Sequence, residues 1–422
     1  YRLWGMNLIG ADGDIWRKHR RIMGPAFGNS LYEYVWKESV QTFKEMVSSD
    51  GWLNKKSVEV PAVQRITFKV WSLPLDSIPI PESSLPRSQY TLFIIGKCAF
   101  GLPFTWSEPP TAPDGTMSLQ EALRLSNETF LTRVLTPKWA FKLPIASLRR
   151  AKQVNDQLSG FMHQQIEERR QEVRDGTIKR DDVFTRLVQA NEDEESKYRL
   201  ADDELIGNVF VMLFAGHETT AHTLAATLGI LAYYPEIQEE VYEHIISVIG
   251  KTRDPVWDAF NKLEKVVAVF FESLRLFPSG FVMIREARED TILTIPNEDG
   301  MEGTRTIPVS KGTEVIVDMI GVQYNPRYFD EPGKFKPSRW YGVPADSEMF
   351  TAFSIGPRAC LGRKFGMTES VAFLTLLLRD WRVEPLLSAG ETREQWGERV
   401  LDAEFKITLG VASMPIRLTR RD

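Results

Sequence analysis

Apolar residues recur every three to four positions along most of the chain, which is the spacing of one buried face of an α-helix. Two of these patterns end next to Pro235 and Pro278, because proline cannot continue a helix interior. Helices are predicted at Trp16–Arg21, Ile145–Val173, Asp202–Tyr234, Glu236–Ile249, Val256–Phe277 and Leu361–Trp381. The pattern therefore predicts a mainly helical protein.

Strand character is concentrated in three short segments in the second half of the chain, and a hairpin-like tail is predicted after the last helix. Strands are predicted at Thr291–Ile295, Thr304–Val309 and Glu314–Asp318, with turns at 297–303 and 311–312 between them. No repeat and no composition shift marks a linker, so residues 1–422 are predicted to form one domain. The expected fold class is mainly α with small β-sheets.

The segment Trp71–Thr91 departs from this pattern, because it holds four prolines and five serines between two helix-like stretches. Each interior proline costs a helix about 3 kcal/mol or more, so the segment must loop out of any helix. Two hypotheses are open: a surface loop, or an in-frame intron retained in the translated gene. We favour the retained intron, and sequencing of cDNA across these codons tests it.

Composition narrows the class of protein. The chain is 43% hydrophobic and 11% aromatic, which excludes a disordered protein. Its 52 basic and 57 acidic residues give a net charge of −5, which excludes a basic nucleic-acid-binding protein. No apolar run reaches the roughly 18 residues of a membrane span, and Tyr1 begins no signal-like segment. We expect this chain to be the remainder of a longer protein.

The most informative segment is Phe353-Ser-Ile-Gly-Pro-Arg-Ala-Cys-Leu-Gly362, directly before an apolar helix. Its glycines let the backbone approach a flat ligand closely, and Arg358 adds a fixed cation. Cys360 lies where helix N-terminal amides favour a thiolate, and thiolates bind soft or borderline metal ions. A lone cysteine such as Cys98 is more often a buried structural residue, but the fixed positions around Cys360 favour a ligand.

This segment resembles the haem-binding loop of the cytochrome P450 family, Phe-x-x-Gly-x-Arg-x-Cys-x-Gly, at every fixed position. The resemblance implies that Cys360 is the proximal thiolate ligand of a haem b iron. It also implies that Phe353 packs over the thiolate, that Gly356 and Gly362 border the haem, and that Arg358 meets a haem propionate.

Two further segments are similar to structural motifs of the same family. Glu272-Ser-Leu-Arg275 puts a carboxylate and a guanidinium on one helix face, and Phe335-Lys-Pro-Ser-Arg339 resembles the stretch that supplies a second arginine. The resemblance implies a buried cluster of Glu272, Arg275 and Arg339 that holds the loop presenting Cys360. Removing one member of such a cluster costs about 3–5 kcal/mol.

A fourth segment, Ala215-Gly-His-Glu-Thr-Thr220, lies in the middle of the long predicted helix Asp202–Tyr234. In the family, such an acid–alcohol pair lies over the distal haem face, so Glu218 is expected to relay protons and Thr219 to hold dioxygen. Gly216 is expected to leave a groove for dioxygen. A zinc-peptidase site at His217, Glu218 and His222 is a remote alternative, because the histidines lie about 140° apart around the helix axis.

The helix at Trp16–Arg21 resembles the family's Trp-x-x-x-Arg helix. The resemblance implies that Trp16 and Arg20 bond haem propionates together with Arg285. Five basic residues are predicted to form a proximal patch that docks an acidic electron donor: Arg17, Lys18, Arg21, Arg363 and Lys364.

The implied function is a haem-dependent monooxygenase that uses dioxygen and two electrons to oxidise an apolar organic substrate. The chain is similar to fungal microsomal members, which implies an NADPH-dependent flavoprotein reductase, the cytosolic face of the endoplasmic reticulum membrane, and secondary metabolism or xenobiotic oxidation. Trp139 and Phe141 are candidates for contact with the membrane, or a core aromatic pair. The candidate substrate pocket comprises Phe210, Phe214, Ala215, Phe281, Val282 and Leu409.

Two alternatives to this function stay open from the sequence alone. The resemblance starts near Trp16, so the anchor, the first helices and most of the first sheet of the family fold are expected to be missing. A truncated fragment of this kind could fail to hold haem. A haem-thiolate isomerase or dehydratase of peroxides is the other alternative, and the Glu218–Thr219 pair argues against it, because such enzymes need no proton relay.

Overall fold

The computed structural model of the 422-residue chain describes residues 5–63, 90–102, 104–106, 117–129, 132–133, 136–178, 182–192, 198–297, 302–405, 408–411 and 413–421. The segment predicted to be a loop or a retained intron, Trp71–Thr91, lies outside these residues except for its last two. Tyr90 and Thr91 begin a buried helix. The prediction for the rest of the segment stays a prediction.

The described residues are mainly helical, as the spacing of apolar residues predicts. The helices are α1 (Gly13–Met23), α2 (Asn29–Ser49), α3 (Tyr90–Phe100), α4 (Leu119–Glu128), α5 (Ala146–Arg174), α6 (Val183–Glu192), α7 (Asp202–Tyr233), α8 (Pro235–Ile249), α9 (Glu264–Leu276), α10 (Met319–Gln323), α11 (Arg363–Asp380) and α12 (Arg393–Val400). None of the helices described is long and apolar enough to cross a membrane.

Helix α7 lies at the centre of the fold and carries the acid–alcohol segment. Its first turn holds three acidic residues, which the positive end of the helix dipole favours. The carboxylate of Glu204 also accepts a hydrogen bond from the backbone N–H of Ala201 at 2.8 Å. Most of the residues from Leu205 to Ala232 are buried, so neighbouring elements contact nearly every face of this helix.

Two predicted helices have different bounds in the structure. The predicted helix Val256–Phe277 is a 3-10 turn at Trp257–Lys262 followed by α9, because Trp257 and Phe260 pack against each other and against the ring of Trp36. The predicted helix Leu361–Trp381 begins only at Arg363, since the loop before it is closed by a hydrogen bond from the N–H of Cys360 to the carbonyl oxygen of Phe353, 2.9 Å long.

The described strands form small antiparallel sheets, which confirms the predicted fold class. They are β1 (Ser57–Val60), β2 (Val282–Glu286), β3 (Thr291–Pro296), β4 (Thr304–Val309), β5 (Glu314–Asp318), β6 (Trp381–Pro385), β7 (Ala403–Phe405), β8 (Leu409–Val411) and β9 (Ile416–Arg420). Strand order is β1-β9-β6 in one sheet, with the pairs β2-β5, β3-β4 and β7-β8 beside it. The three predicted strands are therefore correct, and the unpredicted β2 pairs with one of them.

His19 stands between Lys18 and Arg20, and such charged neighbours in the sequence predict a position at the surface, but this prediction is wrong. Its side chain is fully buried between α1 and α7, where its Nδ1 lies 2.7 Å from the amide nitrogen of Asn208 and its Nε2 lies 3.3 Å from Oε1 of Glu204. Lys18 donates to the same carboxylate at 2.6 Å. A polar cluster thus joins the two helices that approach the candidate site.

Candidate cofactor and active site

A cavity of about 380 Å³ lies between α1, α7, β2 and the loop that carries Cys360. Residues of the predicted haem-binding loop, the predicted propionate-binding side chains and the alcohol of α7 all border it. Its lining includes Trp16, Arg20, Ala215, Gly216, Thr219, Arg285, Phe353, Arg358, Cys360 and Gly362. Tertiary packing thus brings together segments separated by more than 300 positions in the sequence.

The side chain of Cys360 is exposed, and it borders this cavity. Burial raises the pKa of its thiol, and the backbone amides of Gly362 and Arg363 together with the charges of Arg20 and Arg363 oppose that rise. These amides belong to the end of the loop and the start of α11. The groups that favour a thiolate thus converge on the one cysteine that faces the cavity, while Cys98 is wholly buried in α3.

Glycine is present at three positions near the site for different structural reasons. Gly356 has φ +71°, a left-handed conformation that favours glycine. A Cβ on Gly362, which lines the cavity, would meet no protein atom within 4 Å, so a side chain there would project into free space. A Cβ on Gly216 would lie 2.9 Å from Cδ1 of Ile95, so this glycine lets α3 approach α7 closely.

Cationic side chains lie together at the rim of the cavity. The guanidinium of Arg358 stacks 4.4 Å from the ring of Trp16 and donates to the carbonyl oxygen of Ala11 and to Oδ1 of Asp12. Burial lowers the pKa of Arg358 and the nearby charge of Arg285 lowers it further, while the carboxylate of Asp12 opposes this fall. Mutual repulsion of this kind is relieved by an anionic ligand.

The residues present fit a haem group. One thiol faces the cavity, a glycine on the same loop leaves space beside it, and the rim carries the cations that two propionates require. The residues that would hold the haem are Cys360 at the iron and Trp16, Arg20, Arg285 and Arg358 at the propionates. The thiolate is the kind of ligand that suits iron in haem proteins.

The two residues of the acid–alcohol pair face different surroundings. Thr219 lines the cavity, and its Oγ1 donates to the carbonyl oxygen of Ala215 at 2.9 Å. Glu218 is buried and does not line the cavity. Its side chain points toward Thr408, and Oε1 of Glu218 lies 3.4 Å from Oγ1 of Thr408. Sequence reasoning missed Ser279, whose Oγ donates to the carbonyl oxygen of Thr219 at 3.3 Å.

The structure brings Glu272, Arg275 and Arg339 into one cluster. Glu272 accepts hydrogen bonds from Nε and Nη2 of Arg275 at 2.9 and 2.8 Å and from Nε of Arg339 at 3.2 Å. Two donors that the sequence did not indicate complete the set, the backbone N–H of Lys336 and the indole N–H of Trp340. Five donors therefore converge on a carboxylate with no exposed surface, next to the segment that leads to the Cys360 loop.

Only Ala215 of the six residues predicted to line a substrate pocket borders this cavity. Val282 is 43% exposed on the opposite face of β2, because successive side chains of a strand alternate and Met283 and Arg285 take the cavity face. The other four lie outside the lining: Phe210, Phe214, Phe281 and Leu409. The apolar lining that the sequence did not indicate includes Leu8, Ile9, Ile95, Val211, Met212 and Met283.

The zinc-site alternative finds no support in the described residues, which contain no group of three His, Cys, Asp or Glu side chains placed to bind a metal ion. Nδ1 of His217 lies 2.7 Å from the carbonyl oxygen of Leu213 on its own helix. Burial lowers the pKa of His217 to about 4, so this imidazole is neutral at pH 7.

Glu369 in α11 is a fully buried acid behind the site, and it predicts a pH effect on stability. Burial raises the pKa of Glu369 well above its ordinary value, and the hydroxyl of Thr220 opposes the rise. The folded protein therefore binds this proton more tightly than the unfolded chain, so the free energy of unfolding falls as pH rises above about 4.5. We expect Glu369→Gln to remove this fall when unfolding by urea is compared at pH 5 and pH 8.

Glu243→Gln, at an exposed position of α8, is the matched control for Glu369→Gln and should leave the pH dependence unchanged. A Glu369→Gln variant that keeps the wild-type difference between pH 5 and pH 8 would contradict the assignment of this proton to Glu369.

Comparison with known proteins places the chain in a family. A model of the family described as Cytochrome P450 matches residues 86–405. Cytochrome P450 monooxygenase 124 of Postia placenta is 37% identical over 99% of this chain and 77% of its own length. Cytochrome P450 monooxygenase 91 of the same organism is 26% identical over 99% of this chain and 78% of its own length.

Solved structures agree with this match at the level of the fold. The heme domain of cytochrome P450DA superposes with a TM-score of 0.73 at 20% identity, over 100% of this chain and 81% of that chain. A zebra fish cytochrome P450 solved with progesterone superposes with a TM-score of 0.71 at 19% identity, over 98% of this chain and 85% of that chain.

The helical fold and the cavity that borders one thiol are those expected of a haem-thiolate protein. The chain belongs to the cytochrome P450 family. It is accordingly a haem-dependent monooxygenase, an oxidoreductase that incorporates oxygen from dioxygen into an organic substrate with electrons from a redox partner. The matches favour this function over a fragment unable to hold haem.

Proposed function

We propose that the chain oxidises an apolar organic substrate at the Thr219 side of the cavity, whose Cys360 side would hold haem, with protons delivered through Glu218 and Thr219. The observation that carries this proposal is that one cavity is bordered by the Cys360 loop and by the Thr219 hydroxyl. Bound haem would supply the redox chemistry by which one oxygen atom enters the substrate and the other becomes water. The protein supplies the ligand, the proton route and a site that excludes water.

Thr219 holds a proton at its Oγ1 that can be directed either to its own helix or to the cavity. Its present acceptor is the carbonyl oxygen of Ala215, one turn back on α7. A ligand in the cavity can compete for this donor, because a hydroxyl rotates freely and also accepts a hydrogen bond. Glu218, the next residue, is the buried acid that can replace the proton.

An apolar substrate follows from the character of the lining. Apart from the cations at the rim and the alcohols of α7, most of the lining is apolar, with methionine, isoleucine, valine and phenylalanine side chains. Methionine adapts to guests of different shape, and an apolar wall discriminates by only about 1–3 kcal/mol per methylene. These properties suit secondary metabolism or xenobiotic oxidation.

The electron donor is proposed to be an NADPH-dependent flavoprotein reductase that docks on the proximal side of Cys360. A cleft of about 520 Å³ reaches Cys360 from that side and is bordered by Arg363 and Lys364, as well as by the acids Glu264 and Asp346. Of the other predicted patch residues, Lys18 is paired with Glu204 and Arg17 with Asp14, while Arg21 donates to the hydroxyl of Tyr198. Attraction of an acidic partner would therefore depend mainly on Lys364 and its neighbours.

A location on the cytosolic face of the endoplasmic reticulum membrane is proposed from one exposed apolar patch. Trp139 is 66% exposed, and Leu143 and Ile145 beside it are exposed as well. Indole side chains favour the interface between water and lipid, so this patch can rest on a membrane surface near the substrate entrance.

The reduced carbon monoxide difference spectrum of the expressed protein is the first test of the proposed function. Haem bound by the Cys360 thiolate gives a Soret band at the red-shifted position typical of thiolate ligation. A protein that incorporates no haem would overturn the proposal.

Thr219→Ala is expected to uncouple NADPH consumption from substrate oxidation. The variant lacks the hydroxyl that faces the cavity, so product formed per NADPH consumed should fall about tenfold or more, which is a smaller effect than the complete loss of a positioned proton-transfer group. Thr219→Ser keeps the hydroxyl and should retain most of the coupling. Equal coupling in Thr219→Ala and the wild type would remove Thr219 from the proton route.

A further inference from the structure

The β7–β8 hairpin supplies the side chain that contacts the acid of α7. Oγ1 of Thr408 lies 3.4 Å from Oε1 of Glu218, at the turn between the two strands. His222, one helical turn after Glu218, brings its Nε2 to 3.9 Å from the same oxygen. The carboxylate therefore has a hydroxyl and an imidazole on the side that faces away from the cavity.

The hairpin also lies directly on the ring of His222. A Cβ on Gly410 would come within 2.2 Å of His222 Nδ1, so only glycine fits at this position of β8. Next to it, the N–H of Leu409 donates to the carbonyl oxygen of Ser279 at 3.2 Å. The backbone of β8 is thus fixed against α7 and against the turn that follows α9.

Ser279 links the same hairpin to the second member of the pair. Its Oγ donates to the carbonyl oxygen of Thr219 at 3.3 Å and lies 3.3 Å from Oγ1 of Thr223. Both members of the pair are therefore connected to one hairpin, Glu218 through its side chain and Thr219 through its carbonyl oxygen.

A buried carboxylate is costly unless donors and charges compensate it, so the groups beside it control where it can lie. Glu218 is only 3% exposed. A donor on the hairpin side favours the orientation away from the cavity, and the imidazole Nε2 of His222 lies 3.9 Å from the same oxygen. In the proposed proton route Glu218 passes protons to Thr219, so the orientation of the Glu218 carboxylate affects the efficiency of this proton transfer.

We propose that Thr408 and His222 are positioning residues that hold the Glu218 carboxylate and set how efficiently it passes protons toward Thr219. The inference rests on the proposed role of Glu218 in proton delivery. It assigns to the hairpin and to His222 a part in the reaction that does not require either of them to touch the substrate.

The test compares conservative variants of the two residues in the full chain with haem bound. Thr408→Val keeps the shape of the side chain and removes the donor, Thr408→Ser restores the donor, and His222→Leu removes the imidazole. Thr227→Val is the control, because it makes the same substitution at a buried threonine of the same helix whose Oγ1 donates to the carbonyl oxygen of Thr223 and lies away from Glu218. The amount of haem-thiolate protein is measured from the carbon monoxide spectrum.

We expect Thr408→Val and His222→Leu to lower the product formed per NADPH consumed by about three- to tenfold, with Thr408→Ser close to the wild type and Thr227→Val unchanged. Adding either substitution to Glu218→Gln should lower the coupling no further, because the positioned group is already lost. The midpoints of urea unfolding should also be non-additive in the double variant of Glu218→Gln and Thr408→Val.

Two results would overturn the inference in distinguishable ways. If Glu218→Gln lowers the coupling but Thr408→Val and His222→Leu behave like Thr227→Val, the positioning role is wrong and the role of Glu218 stands. If Glu218→Gln itself leaves the coupling unchanged, the proposed proton route fails and the inference fails with it. If His222→Leu does not fold, His222→Asn takes its place. Together with the two Thr408 variants it distinguishes a wrong positioning role from a failed proton route.

Discussion

Replacing Cys360 with serine is expected to abolish the red-shifted Soret band of the reduced carbon monoxide complex and to reduce product formation below detection. A serine hydroxyl keeps nearly the same shape but stays protonated at neutral pH, so it cannot replace a thiolate as a strong iron ligand. The backbone amides of Gly362 and Arg363 and the charges of Arg20 and Arg363, which favour a thiolate, then have no anion to stabilise.

The second cysteine of the chain provides the control for Cys360→Ser. Cys98 is wholly buried in α3, and burial raises the pKa of its thiol well above the ordinary range, so it behaves as a small apolar side chain. Cys98→Ala should keep the spectral band and lose only a little stability. A red-shifted band in Cys360→Ser, or its loss in Cys98→Ala, would contradict the assignment of the iron ligand.

Replacing Glu272 with glutamine is expected to lower the free energy of unfolding by about 3–5 kcal/mol, the cost of leaving buried partners of an ion cluster uncompensated. The five donors that converge on this carboxylate come from Arg275, Arg339, Lys336 and Trp340. A glutamine amide keeps one oxygen acceptor, but its NH2 group directs two N–H donors toward the donors that bind the Glu272 carboxylate. Urea unfolding of the haem-bound protein measures the loss.

Glu264→Gln tests whether the loss in Glu272→Gln reflects the buried cluster. Glu264 lies in the first turn of the same helix, α9, and is exposed, so its substitution should change the free energy of unfolding by about 0.5 kcal/mol or less. If the two variants unfold at the same urea concentration, the buried cluster adds no more to the free energy of unfolding than an exposed glutamate does. Its proposed role in holding the Cys360 loop is then wrong.

The six predicted helices are the part of this protein that the sequence predicts well, although α2, Asn29–Ser49, was not among them. Helix hydrogen bonds join residues four apart, so the spacing of apolar residues and the positions of Pro235 and Pro278 carry the needed information. The loop from Phe353 to Gly362 is equally local, because a backbone that presents one thiol needs its glycines and its cysteine at fixed separations.

Strand pairing and side-chain orientation were predicted less well, because they depend on distant parts of the chain. β1 pairs with β9 across more than 350 positions, and β2 acquires its strand conformation by pairing with β5. Sequence reasoning placed Val282 in the pocket, whereas the pairing of β2 turns Met283 and Arg285 to the cavity. A shift of one residue in a strand exchanges its two faces.

The sequence by itself determined the class of this protein, since the helical pattern and the motif around Cys360 depend on contacts over a few residues. Only the tertiary structure decided what surrounds each reactive group. It turned Thr219 to the cavity and Glu218 to Thr408, and it buried His19, because burial is set by whichever element packs against a helix face. That packing brings together residues that no spacing along the chain relates.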